Sequence, residues 1–221
     1  MAARSYNQVC GVAKALDLLG DRWTMLMVRE LLLGPKRFSA LTDAMPGIGP
    51  NLLSKRLREL SEAGVIAQVE LAPPASVTAY ALTDLGEELR EPVESLALWG
   101  FRLLDGPAEY RKGSLGRGSW LASTLAAASA RSEDWAEIPK LTINFDVDGD
   151  RFVLRTDGSR AHVRHGFDEA AASSISCDFP SFAGLALGSE ASADPVAGPV
   201  LSTLAAGAPA RAPSRSSAAS A

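Results

Sequence analysis

FSALTDAMPGIGPNLLSKRLRELSEAGVI, residues Phe38–Ile66, decides the fold of the N-terminal half. Two short amphipathic segments flank the turn Pro46-Gly47-Ile48-Gly49, in which Ile48 serves as an apolar plug. Pro50 suits the first position of a helix, where an amide hydrogen has no partner to lose. From there Leu53, Leu57 and Leu60 recur at i, i+4 and i+7 and define a core-facing stripe. Asn51, Ser54, Lys55 and Arg58 fall on the other side, and Gly64 ends the helix. A helix, a tight turn and a second helix with a cationic, hydrogen-bonding outer face form a helix-turn-helix. In that motif the second helix enters the major groove of duplex DNA.

The flanking sequence completes a winged domain. Asn7–Leu19 reads as a first helix with Val12, Ala15, Leu16 and Leu19 along one face. Gly20 closes it, and Asp21 is expected to cap the next helix, Arg22–Leu33. Trp23, Leu26, Met27 and Leu31 or the adjacent leucines form the buried side of that second helix, and Gly34-Pro35 stops it. Lys36–Ala44 supplies the first helix of the DNA-binding pair, with Phe38 and Leu41 inward. Val65–Leu71 and Val77–Thr83 read as two antiparallel strands, a wing whose tip holds Pro73 and Pro74. A long helix, roughly Leu85–Leu104, follows with Leu89, Val93, Leu96 and Leu103 at apolar positions and Trp99 and Phe101 near its end. So apolar a helix at a domain edge needs a partner, most simply a second copy of the chain.

Bulk properties bound the reading. The 221 residues carry a net charge of −4, which by itself argues against nucleic-acid binding. Screening confines electrostatics to about 8 Å in physiological salt, so local charge decides. Between Lys36 and Arg58 five cations face one anion, Asp43, a local net of +4. The acidity lies elsewhere, notably in Glu87–Glu94, and a basic patch on an acidic body suits a binder that must not cling to all DNA. No apolar run is long enough to span a bilayer, and the N-terminus lacks a signal-peptide core, so a cytoplasmic location is expected. Two cysteines, Cys10 and Cys177, far apart and without a Cys/His cluster, argue against a disulfide scaffold and structural zinc.

The C-terminal half changes character after the Gly/Ser-rich stretch 106–118. A short helix at Trp120–Trp135 precedes clear period-2 alternation of Leu141, Ile143, Phe145 and Val147. Turns at Asp148-Gly149-Asp150 and Asp157-Gly158-Ser159 separate strands at Arg151–Thr156 and Arg160–His165. Ser174–Phe179 forms a fourth strand and Phe182–Leu187 a helix, while the tail from Gly207 is low-complexity and expected to be disordered. Asp146–Asp157 superficially suggests a calcium loop. It has Arg151 where the sixth-position glycine belongs and ends in Asp instead of Glu, so calcium is rejected. His162 and His165 have no carboxylate partner in the local pattern and fall on opposite sides of a strand, so no shared metal is expected. No nucleophile elbow, phosphate loop or dinucleotide fingerprint occurs, which leaves no catalytic residue, no metal and no cofactor to propose.

Residues 7–104 resemble the HxlR family of bacterial winged-helix regulators, relatives of the MarR group. The resemblance is carried by ALDLLGDRWTMLMVRELLLGPKRFSAL, PGIGPNLLSKRLRELSEAGVI, YALTDLGEEL and LWGF, in that order. It implies a homodimer bound to an inverted repeat, with recognition helices about 34 Å apart. On this reading Pro50 starts the recognition helix, Asn51 and Ser54 reach base edges, and Lys55 and Arg58 reach bases or phosphates. Lys36, Arg37 and Arg56 are expected at phosphates. The family usually has Cys-Pro near its start, whereas Cys10 here precedes Gly11. A thiol sensor at Cys10, with Lys14 one turn away, competes with the plainer reading of a buried, inert cysteine. The wing tip is Ala75-Ser76 with no cation between Glu70 and Tyr80, which throws specificity onto the recognition helix.

The region from Leu115 to Ala206 resembles the sterol-carrier-protein-2-like fold in strand order and turn placement. That resemblance implies a pocket for a small apolar ligand, with Phe145, Phe152, Cys177, Phe179 and Phe182 as lining. The fold expected is therefore α+β: a winged helix-turn-helix and dimerisation domain (1–105), a linker (106–118), a small α+β sheet domain (119–206) and a tail (207–221). The expected function is a non-enzymatic, homodimeric repressor acting on double-stranded DNA without membrane attachment and modulated by an apolar effector. The alternative is a carrier of lipid or other hydrophobic ligands, with the N-terminal half as a docking and dimerisation module.

Overall fold

The computed structural model describes residues 5–71, 77–104, 116–131 and 138–210. The chain divides into two compact units, Met1–Val93 and Glu94–Ala221. The division falls within a helix; most of the expected 106–118 linker lies outside the described residues.

The first unit holds α1 (Gly11–Leu19), α2 (Thr24–Leu32), α3 (Phe38–Ala44), α4 (Pro50–Glu62), β1 (Ile66–Glu70), β2 (Thr78–Leu82) and α5 (Asp84–Glu87). Its core is built from Met27 and Leu31 of α2, Leu41 of α3, and Leu53, Leu57 and Leu60 of α4. Met45 and Ile48 in the turn region close it, with Val65 and Ile66 beneath. The i, i+4, i+7 spacing of the α4 leucines is thus realised as a buried stripe. Gly47 (φ 98°) lets the turn reverse where a side chain would be strained, and Gly64 (φ 72°) does the same after α4.

β1 and β2 pair antiparallel from Ile66↔Leu82 to Glu70↔Thr78. The expected wing tip, with Pro73, Pro74, Ala75 and Ser76, lies outside the described residues. Lys36 adds a third strand-like contact to this hairpin: its N–H donates to Tyr80 O at 2.9 Å, and Tyr80 N–H donates to Lys36 O at 2.8 Å.

Three expectations for this half are corrected. Asp21 does not cap α2 through its side chain; Trp23 is the N-cap, and the Asp21 carboxylate pairs with Arg56 instead. On α1, Ala13 is the buried residue, and Val12, Ala15 and Leu16 face outward, leaving only Leu19 of the expected stripe partly buried against the core. The single helix expected over 85–104 is two, α5 and α6 (Arg90–Phe101). Leu89 N–H donates to Gly86 O at 3.1 Å, the tighter i→i+3 bond of a turn between them.

The second unit holds most of α6, then α7 (Gly118–Ser129), β3 (Leu141–Val147), β4 (Asp150–Thr156), β5 (Ala161–His165), β6 (Ser173–Cys177), α8 (Phe179–Ala186) and α9 (Ala197–Ala206). Its sheet runs β5-β4-β3-β6, antiparallel except for the parallel β3–β6 pair. Alternation puts Ile143, Phe145, Val147, Phe152 and Leu154 on one face, where they pack with Leu125 of α7, Phe182 of α8 and Leu204 of α9. On the opposite face the segment between β5 and β6 crosses over and is pinned to β3. Asp168 N–H donates to Asn144 Oδ1, and Asn144 Nδ2 donates to Asp168 O, both at 2.9 Å. The α6 residues Leu98 and Phe101 are buried within this unit, Leu98 beside Ala127 and Ala128 of α7. The unit is of mixed α+β architecture, four strands with helices on one face. No helix among the described residues is long and apolar enough to cross a membrane.

Candidate nucleic-acid interface

α4 presents the expected face. Pro50 occupies the first turn, and Asn51, Ser54, Lys55 and Arg58 are exposed while Leu53, Leu57 and Leu60 are at most 1% exposed. Lys55 lies 3.7 Å from Glu59 and Arg58 lies 4.0 Å from Glu62, both i, i+4 pairs open to water. Such pairs are worth a few tenths of a kcal/mol, so a phosphate readily competes for either cation.

The other three expected cations behave differently. Arg37 is the exposed N-cap of α3. Lys36 is not: it is 7% exposed, and its Nζ donates to Glu30 Oε2 at 2.5 Å. Glu30 is fully buried on α2 and also accepts from Arg29 Nη2 at 2.8 Å. Burial pushes the Glu30 carboxyl up, but the charges of Lys36 and Arg29 and their hydrogen bonds outweigh it and hold the group below the usual carboxylate range. Lys36 is thus an internal strut between α2 and the wing strand β2. From sequence alone its charge reads as surface charge, because Lys36 falls in a cationic run and nothing marks Glu30, six residues earlier, as a buried acid.

Arg56 is largely covered as well, its guanidinium bonded to Glu59 Oε2 at 2.6 Å and paired with Asp21 ahead of α2. It ties the flank of α4 to the turn at residues 21–23. One residue of that turn escaped the sequence reading: Arg22 is exposed, with its guanidinium carbon 5.4 Å from the centre of the Trp23 ring.

Cys10 is exposed at the N-cap of α1 and not buried as the plainer reading expected. Cys177 is half-buried; burial first, then the nearby Asp178 and Asp148 carboxylates, push its thiol up, a setting that disfavours the reactive thiolate.

The expected effector-pocket residues form a packed cluster. Phe145 stacks on Phe152 with ring centroids 5.0 Å apart, and Phe182 meets them edge-on at 5.4 and 5.6 Å. All three are under 2% exposed, so each ring occupies space the others would otherwise open. Phe179 and Cys177 lie at the margin of this core. The carboxylates of the calcium-like stretch go to separate partners: Asp146 to Gly149 N–H and Arg151, Asp148 to Phe179 N–H, and Asp150 to Ser119 N–H. The histidines do have carboxylate neighbours, contrary to the pattern-level reading. His162 Nε2 is 3.1 Å from Asp157 Oδ2, and His165 Nδ1 is 3.9 Å from Asp150 Oδ1.

Comparison with known proteins agrees with the geometry of the first unit. The HxlR-like helix-turn-helix family matches residues 18–106. YvaP, an HTH-type transcriptional regulator of Bacillus subtilis, is 35% identical over 92 residues, which cover 42% of this chain and 85% of YvaP. The HTH-type transcriptional regulator Rv3095 of Mycobacterium tuberculosis is 38% identical over 96 residues, 43% of this chain and 60% of its own length. Among solved structures, a MarR-family regulator from Porphyromonas gingivalis W83 aligns at 26% identity over 46% of this chain and 99% of that one, with a TM-score of 0.41. A buried leucine stripe carrying an exposed polar, cationic face, within a 92-residue stretch that is 35% identical to YvaP over 85% of YvaP's length, leads to one conclusion: the chain belongs to the HxlR-like helix-turn-helix family of DNA-binding transcriptional regulators.

Proposed function

We propose that the protein is a homodimeric repressor that reads an inverted-repeat operator through α4, with the C-terminal unit as its regulatory module. The exposed set Asn51, Ser54, Lys55 and Arg58 on a helix anchored by three buried leucines carries this reading. Asn51 and Ser54, in the first turns, have the donor and acceptor groups needed for base edges; Lys55, Arg58 and Arg37 supply charge for phosphates. Dimerisation is supported by outward apolar side chains: Val12 and Leu16 on α1, and Leu96 and Trp99 on α6, the last 60% exposed. The repressor role rests on the family resemblance alone.

The effector part of the proposal is narrower than the sequence suggested. An apolar ligand has to part the Phe145–Phe152–Phe182 cluster or bind at its edge beside Cys177 and Phe179. Native mass spectrometry of the purified protein reads out a retained ligand. The carrier alternative requires that ligand together with no binding to duplex DNA. The exposure of Cys10 favours a second input, a redox response, which Cys10→Ser abolishes if the thiol carries it.

The test of base reading is selection from a random duplex library. Wild-type protein is expected to enrich an inverted repeat. The double variant Asn51→Ala, Ser54→Ala is expected to enrich different or degenerate bases while still binding unselected duplex. Enrichment of the same sequence by both proteins refutes base reading by this face.

A further inference from the structure

We propose that Arg22 is a further DNA contact, a phosphate clamp on the flank of α4; this rests on the reading of α4 as the recognition helix. Arg22 lies between α1 and α2, outside the helix-turn-helix, yet three observations tie its position to α4. Its neighbour Asp21 is ion-paired with Arg56 of α4, which fixes the turn against that helix. Trp23, on the other side, packs under the helix-turn-helix turn: a β-carbon placed on Gly47 would sit 3.8 Å from the Trp23 ring. The guanidinium of Arg22 lies 5.4 Å from the centre of that same ring, which restrains it while leaving it exposed.

Charge bookkeeping points the same way. Arg56, the cation that the sequence would place on this flank, is held by Asp21 and Glu59. Arg22 stands on the same turn and is exposed. A helix lying in the major groove has phosphates along both flanks, and a pre-positioned guanidinium beside it loses little side-chain freedom on binding. The occupant is therefore the sugar–phosphate backbone of the DNA that α4 enters, contacted without regard to sequence.

The experiment uses the full chain with two fluorescent duplexes, the selected operator and a scrambled duplex, titrated by anisotropy across a salt series. Arg22→Gln is expected to weaken binding to both duplexes by a similar factor, about threefold to tenfold at moderate salt. The slope of log K against log salt should become shallower by about 0.9 per protomer. Arg22→Lys should restore most of the slope, and Arg22→Glu should weaken binding further, with the differences fading at high salt. A folding defect would persist at high salt and would not be rescued by lysine. Unchanged affinity and slope in Arg22→Gln overturn the proposal. Loss of binding in Lys55→Ala, Arg58→Ala beside an unaffected Arg22→Gln refutes Arg22 alone, whereas retained binding in both removes the α4 reading on which it rests.

Discussion

Glu30 and Lys36 form a buried pair that joins α2 to the segment beside the β1–β2 hairpin. Glu30 belongs to α2, and Lys36 joins the wing through its backbone bonds to Tyr80. Removing the lysine charge leaves a carboxylate inside the protein with Arg29 as a remaining partner. Lys36→Met is therefore expected to destabilise the domain by about 3 kcal/mol, the lower end for breaking a buried pair, measured by urea denaturation. The pH sign follows from the depressed Glu30 carboxyl. Its stabilising contribution is present above the ordinary value of 4.5 and is lost as pH falls through the lower folded value. Wild-type protein should lose stability along an acid limb below that point, and Glu30→Gln should flatten it. An acid limb identical in the two proteins contradicts the role given to this pair.

At the level of elements, Thr83 links the end of α4 to the start of α5. Its hydroxyl donates to Gly64 O at 2.6 Å, just beyond α4, and accepts from Gly86 N–H as the N-cap of α5. Thr83→Ala is expected to cost about 1 kcal/mol, as for other lost caps, and calorimetry should show it as a lowered Tm. No change in Tm would mean that the cap is redundant. The elements themselves were largely legible in the sequence where one face is buried. The α4 leucines and the alternation of Ile143, Phe145 and Val147 each follow the period of their element, so pattern and structure agree. Legibility failed where a partner outside the local window decides. Asp21 looks like a cap until Arg56 arrives from α4, and Lys36 looks like a surface cation until Glu30 is placed beneath it. The phenylalanines of the second unit are expected from sequence to line a ligand pocket, and the structure packs Phe145, Phe152 and Phe182 against one another. Whether they line a space or fill it depends on ring-to-ring packing that alternation does not encode.

At the scale of the whole molecule, the outward apolar side chains of α1 and α6 are the feature that a lone chain does not account for. Val12 and Leu16 sit on one face of α1, and Leu96 and Trp99 stay exposed although Leu98 and Phe101 of the same helix are buried. If α6 meets its counterpart in a second chain, Leu96→Glu with Trp99→Glu should convert a dimer to a monomer in light scattering. The same variant should bind an inverted repeat far more weakly than wild type and a single half-site about equally. A monomeric wild type, or a dimer untouched by these substitutions, places the interface elsewhere. The sequence read this surface only as a helix needing a partner; it did not show that one side of that helix is satisfied within its own chain.

Whether the exposed face of α4 lies in the groove of duplex DNA is decided by the double variant Lys55→Ala, Arg58→Ala. Both residues are exposed and make only weak pairs along the helix, so the double variant should fold like wild type. Titrated against the selected duplex over a salt series, it is expected to bind at least tenfold more weakly, with a visibly flatter dependence on salt. Affinity and salt dependence equal to those of the parent protein would contradict the account.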